Sequence, residues 1–322
     1  MVLPRLHCVL VLALFVFIGC NEPITEVPAP LWSAAPSDGR TRYFSAFRSG
    51  DYASLAPIIS TLTAEHLDGD RVSTAVLGFA HAWRLAESSR TGGDPTVIES
   101  ASVAHRMFEG AYGATSNDPR LLGFQGSMMM SEGSINANPE LSREGYFLAR
   151  TSAAKWPQWG LFTLAYSLSG QPPESALGVE AIDSMWRNLE VCAEGRSVNR
   201  TETGLLTWFA EASKSPNPLV ARACGNQAVA PFNTEGFFAV FGDLLARKGD
   251  VTQATRMYAT ALSTEASAKW PYRSAIERRR DQVVDLKERW AEEPRRGLSQ
   301  QIDEVTLFKG PANCTLCHQQ AN

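Results

Sequence analysis

Between about Arg40 and Trp290 apolar residues recur at intervals of three and four, and strand-like alternation is scarce. That period places apolar side chains on one face of an α-helix, and its length commits the chain to helix-on-helix packing. The clearest stretch runs from Phe238 to Ala261. Phe238, Phe241, Gly242 and Leu245 share an inner face, Gly249-Asp250 makes a turn, and Ala254, Tyr258 and Ala261 look back from the next helix. Gly242 and Ala254 allow two antiparallel helices to approach closely, while the large residues fill the groove between neighbouring pairs.

This order of a large residue, a leucine-glycine-like step, a small alanine and an aromatic resembles the tetratricopeptide repeat. The resemblance implies an all-α fold, a tetratricopeptide-like helical-repeat solenoid whose outer face serves as a docking surface. Weaker copies lie upstream. Leu77-Gly78 with Ala104, Phe108 and Ala111 fits with a lengthened turn at Gly92-Gly93; Trp159, Phe162, Tyr166 and Gly170 with Ala176 fits another; Gly50-Asp51-Tyr52 opens a run to Leu62. Ala154-Lys155-Trp156-Pro157 recurs as Ala268-Lys269-Trp270-Pro271, and in both the proline falls where a new helix starts and its missing N–H costs nothing. The repeat domain is expected over residues 37–292, with its clearest repeat at 235–268. A one-sided helix over 271–290 closes the array, burying Tyr272, Ile276, Val283, Leu286 and Trp290 and leaving Arg278, Arg279 and Arg280 on a solvated face. Residues 195–234 fit no repeat. Glu292-Glu293-Pro294 then breaks the helix and starts a tail, residues 293–322.

The chain opens with Arg5 in a short polar start and an uncharged apolar run from Val9 to Ile18, too short to span a bilayer but suited to a signal peptide. The run ends in Phe17-Ile18-Gly19-Cys20, which resembles the lipobox of bacterial lipoproteins. That resemblance implies removal of residues 1–19, lipidation of Cys20 and a body exported to the bacterial cell envelope, anchored by lipid and facing the periplasm, with inner or outer membrane left open. Phe17 departs from the leucine common at its position, and an uncleaved anchor is the other reading. Residues 20–36, with Pro23, Pro28, Pro30 and Pro36, are expected to form an extended tether. In an oxidising compartment the remaining even pair, Cys192 and Cys224, is a candidate disulfide worth roughly 3–4 kcal/mol on a loop-entropy basis, with two separately buried thiols as the alternative.

Cys314-Thr315-Leu316-Cys317-His318 carries the one strong chemical signal. In a C-x-x-C-H arrangement the two thiols can bond the vinyl groups of haem while the adjacent imidazole reaches the iron as proximal ligand. With the lead-in Phe308-Lys309-Gly310-Pro311-Ala312-Asn313 it resembles the attachment segment of c-type cytochromes over about fifteen residues. The resemblance implies one covalent haem c on Cys314, Cys317 and His318. In the ordinary cytochrome c family the motif lies early and a later loop supplies a methionine; here Gln319 to Asn322 alone follow, so neither that fold nor that ligand carries over. The other uses of the motif are a zinc site completed by Cys192 and Cys224, a redox dithiol, and a local disulfide.

A second iron ligand must come from upstream or from a partner. His66, near a helix end, ranks first; His81 sits where the repeat expects an inward aromatic and is read as packing, and His105 as a surface position. Met128, Met129 and Met130 are a further source, and since consecutive helical residues point about 100° apart at most one of them faces a metal. No nucleophile elbow, zinc-protease helix or paired histidine–carboxylate cluster occurs, so an enzyme is disfavoured. The formal net charge of -4 and the lack of a glycine-rich phosphate loop speak against nucleic-acid binding. The expected function is electron transfer or relay between redox protein partners, by a lipid-anchored monohaem protein. The alternatives are a scaffold for an envelope protein complex and a haem-based sensor or peroxidase.

Overall fold

A computed structural model describes residues 22–28, 35–87, 95–112, 118–196, 198–200, 209, 211–292 and 314–320. Among the described residues every regular element is helical. In chain order these are α1 (Asp38–Ser49), α2 (Leu55–Leu67), α3 (Arg71–Ala86), α4 (Glu99–Ala111), α5 (Pro119–Ile135), α6 (Pro139–Lys155), α7 (Pro157–Leu168), α8 (Ala176–Cys192), α9 (Pro218–Cys224), α10 (Asn233–Lys248), α11 (Val251–Leu262), α12 (Arg273–Asp281), α13 (Val283–Glu292) and α14 (Thr315–His318). None is long and apolar enough to cross a membrane. The signal segment, Cys20 and the lead-in Phe308–Asn313 lie outside the described residues.

Helix starts follow local chemistry. Asp70, Asp118, Asn138 and Asn217 each accept a hydrogen bond from a first-turn N–H, and proline opens α5, α6, α7 and α9. Gly50 (φ 71°) and Gly249 (φ 85°) end α1 and α10 in the left-handed region.

Consecutive helices pair through glycine. A Cβ on Gly242 of α10 would stand 2.5 Å from the Tyr258 ring of α11, and one on Gly78 of α3 would stand 2.8 Å from the Phe108 ring of α4. One device therefore builds both hairpins. Helices α5 and α6 approach closer still, backbone to backbone, where Gly126 faces Gly145 and a Cβ would sit 2.7 Å from the Ala149 nitrogen.

Three expectations need correction. The closing helix over 271–290 is two helices, α12 and α13, broken at Gln282. Arg279 is not on a solvated face: it is buried and ion-paired with Asp243, fully buried in α10, which also accepts a 2.5 Å hydrogen bond from the Tyr258 hydroxyl. A buried carboxylate requires that partner, and it draws α12 back onto α10. The described part of the tether meets the body on one side while Glu22, Pro23, Thr25 and Glu26 are exposed. The Ile24 N–H donates to the Lys155 carbonyl at 2.8 Å, and Ile24 and Val27 pack against the core. Cys192 and Cys224 form a disulfide, with Cα atoms 5.9 Å apart, joining the C-terminal ends of α8 and α9.

Removing the guanidinium alone, as in Arg279→Met, leaves Asp243 buried without its counter-charge and is expected to cost about 3–5 kcal/mol. The double variant Arg279→Met/Asp243→Asn should recover part of that loss. Urea unfolding of wild type and both variants measures the coupling, and a single variant as stable as wild type would deny the pair its role.

Candidate functional site

The segment 314–320 is set into the body. Leu316 and Thr315 are fully buried. The indole N–H of Trp270 donates to the Leu316 carbonyl at 2.8 Å, the Phe232 N–H to the Cys317 carbonyl at 3.0 Å, and the Gln320 N–H to the Arg48 carbonyl at 2.7 Å. Tyr272 shares a 2.6 Å hydrogen bond with Thr315 and donates to Gln319 at 3.0 Å. A Cβ on Gly236 of α10 would overlap Cys317 Sγ, so that glycine is the seat of the sulfur.

Inserted there, α14 completes a ring of helices. Phe47 of α1 meets Trp83 of α3 at 5.0 Å between ring centroids, Phe79 of α3 meets Phe124 of α5 at 4.9 Å, and the Arg120 guanidinium of α5 lies 5.6 Å over the Trp159 ring of α7. Phe162 of α7 then meets Phe237 of α10 at 5.7 Å, α10 seats Cys317, and His318 returns to Phe47 at 5.0 Å. The ring lines an open-sided cavity of about 290 Å³, at the lower end of the range of cofactor sites. Cys314, Cys317 and His318 line it together with Tyr43, Phe44, Phe47, Phe79, Phe124, Trp159, Phe162, Tyr166, Phe209 and Phe237. The motif is therefore docked against the helical body.

Burial sets the state of each motif group. It pushes the Cys317 thiol up to about 12, with Glu235 adding to the effect, and raises Cys314 further, helped by Glu87. It also lowers the His318 imidazole to about 4. His318 Nδ1 lies 3.2 Å from the Val229 carbonyl oxygen, which can only accept, so Nδ1 carries the ring proton and Nε2 keeps its lone pair. Cys314 and Cys317 are unbridged, and burial favours the neutral form of all three groups. Cys192 and Cys224, being bonded to each other, are lost as zinc ligands. Among the described residues no cluster of three or more His, Cys, Asp or Glu could hold a metal ion.

One wall of the cavity is cationic. Arg120 holds Asp118 through Nε at 2.9–3.0 Å and Nη2 at 2.6 Å, both residues buried. Arg222 of α9 lies 5.4 Å from the same Trp159 ring and hydrogen-bonds Asn226. Burial and the like charge of Arg120 lower the Arg222 guanidinium to about 10, with Asp118 pulling the other way. A carboxylate on a molecule filling the cavity would be attracted to this wall.

The upstream histidines do not reach the cavity. His66 Nδ1 is 2.8 Å from the Thr74 hydroxyl, and it does not line the cavity, so the first-ranked distal ligand is not brought to the motif. His81 is buried against Ser100 at 3.3 Å, a packing role, and burial lowers it to about 4. His105, expected on the surface, pairs instead with Glu132 at 2.7 Å between α4 and α5. Of the three methionines, Met128 lines the cavity while Met129 and Met130 are buried in the core. Arg120 and Arg222 had no signal in the periodicity; the Asn217-Pro218 helix start was the available clue to the second, inside the region that fits no repeat.

Two outcomes follow from this geometry. Gly236→Val should displace the 314–320 segment, and in protein made without haem attachment native maleimide labelling of the half-buried Cys317 should become several-fold faster. A variant as unreactive as wild type would mean that Gly236 does not seat the sulfur. For His81 the folded pKa lies below the unfolded value, so its stabilising contribution is present above about pH 6.5 and is lost as pH falls toward 4, by up to about 3 kcal/mol. His81→Gln should flatten that part of the stability–pH curve; an unchanged slope would contradict it.

No protein-family model, curated protein or solved structure matches the chain, so the chemistry of the cavity is read from its own residues.

Proposed function

We propose that the cavity holds one covalent haem c and that the protein is an exported, lipid-anchored electron-transfer component whose helical hairpins form a tetratricopeptide-like solenoid. The observation that carries this is His318, which lines the cavity beside two unbridged cysteines with its Nδ1 3.2 Å from the Val229 carbonyl oxygen. A backbone carbonyl on Nδ1 is the arrangement that presents Nε2 to a metal. When bound, haem supplies one-electron chemistry at its iron.

The residues fit the group. Cys314 and Cys317 line the cavity and would supply the thioether bonds. The aromatic rings supply an apolar slot for the macrocycle, and Arg120 and Arg222 give its carboxylates a cationic wall. The described lining contains no carboxylate and no histidine besides His318. A peroxidase needs a positioned general acid–base opposite the proximal histidine, and this lining supplies none. A lining rich in aromatic rings suits an electron relay, with redox protein partners docking on the helical surface. The lipobox-like Phe17-Ile18-Gly19-Cys20 supports export and membrane attachment.

The competing scaffold reading assigns the protein to assembly of an envelope complex without haem. Expression of the full chain in a host that attaches c-type haem distinguishes them. Haem staining after reducing denaturing electrophoresis should show one haem per chain, abolished in Cys314→Ala/Cys317→Ala. A folded, soluble wild type that carries no stain would sink the electron-transfer reading in favour of the scaffold.

A further inference from the structure

The N-terminal segment meets the body at the corner between α6 and α7. The Lys155 carbonyl is among the last four of α6, which have no partner inside the helix, and the Ile24 N–H supplies one at 2.8 Å. Ile24 and Val27 pack against the same core cluster as Trp156. The corner is one copy of a repeated phrase. In Ala268-Lys269-Trp270-Pro271 the Trp270 indole holds the Leu316 carbonyl, and in Ala154-Lys155-Trp156-Pro157 the Lys155 carbonyl holds Ile24. The two copies receive the two ends of the described chain.

That contact shortens the leash to the lipid. Counted to the start of α1, extended chain of about 3.5 Å per residue would let Cys20 stand about 60 Å from the body. Asn21, Glu22 and Pro23 separate Cys20 from the pinned Ile24, and over that span the reach falls to about 14 Å. Helix α6 carries an exposed stripe that ends at this corner, formed by Arg143, Phe147, Arg150 and Ala154 at helical spacing. Phe147 is 55% exposed, and at the helical rise it lies about 12 Å along the axis from Lys155. Glu144 and Glu180, the latter 3.5 Å from Arg150, offset part of the positive charge. A bilayer interface accepts this combination, with an aromatic ring among the headgroups and arginines at their phosphates.

We propose that the α6–α7 corner is the membrane-facing side of the protein, held there by the docked N-terminal segment, and that Phe147 enters the bilayer interface between Arg143 and Arg150. This rests on the lipidation of Cys20 proposed above. A leash this short makes the contact effectively intramolecular, so a small patch is enough to orient the body.

The test uses the full chain, made in a bacterial host that lipidates it and placed in vesicles of phosphatidylethanolamine and phosphatidylglycerol. A benzophenone side chain replaces Phe147, Leu67 of α2 or Val284 of α13 in turn, and lipid adducts are measured by mass spectrometry after illumination. Leu67 and Val284 are the more exposed, at 77% and 70%, so contact governed by exposure alone would favour them. Adducts at position 147 should instead exceed both several-fold. Ile24→Pro removes the donor to Lys155; that protein should still float with the vesicles while adducts at position 147 fall to the level of the other two. Equal labelling at the three positions, or labelling at 147 unchanged by Ile24→Pro, overturns the orientation and leaves the lipid anchor standing. Wild type that does not float with the vesicles overturns both.

Discussion

Everything about the cavity depends on a short segment held by long-range contacts. Four residues cannot sustain a helix alone, because nucleation costs more than one turn returns. The 314–320 segment is ordered instead by Trp270, Phe232, Tyr272 and Arg48, which meet its backbone and hydroxyl groups, and by Leu316, buried at zero exposure. These partners lie on both flanks of the gap, so the segment joins α1 to α10. Without it the ring from α1 through α3, α5, α7 and α10 would be an open trough, wetted along the aromatic face that now lines a cavity.

The electrostatics of the cavity follow from that closure. Burial raises the two thiols and lowers the imidazole, favouring the neutral form of each, and the Val229 carbonyl favours the imidazole tautomer with its proton on Nδ1. Positive charge on the lining is gathered at Arg120 and Arg222 over Trp159, partly balanced by Asp118, and Arg222 also acts on His318. An apolar lining with a cationic patch suits a ligand with an apolar body and anionic groups at one edge. The disulfide between Cys192 and Cys224 secures α9, and with it Arg222, to α8.

The parts that could be read from the sequence are those whose chemistry is local. The α10–α11 hairpin announced itself because Gly242 and Tyr258 are spaced by a repeat pattern, and the Gly78–Phe108 pair obeys the same rule. Cys314, Cys317 and His318 were recognisable for their spacing alone. The α5–α6 hairpin escaped because its close approach uses Gly126 and Gly145 in place of the alanine and aromatic. Arg279 was misplaced because its partner Asp243 lies 36 residues away, and the polar pattern around it describes a solvated face equally well. His66 looked available because nothing nearby in sequence shows that Thr74, one turn into the next helix, would claim it. Where the motif docks was beyond any local pattern.

The depth at which Cys317 sits, against Gly236 and under the Phe232 amide, has a consequence for the order of events in the life of the chain. Cys314 and Cys317 are half-buried and face the cavity. Modification of either cysteine is therefore least hindered before the segment docks, while the thiols meet bulk water. On the proposed haem reading, loading precedes closure, and the finished protein shields its own thioether bonds from the machinery that made them.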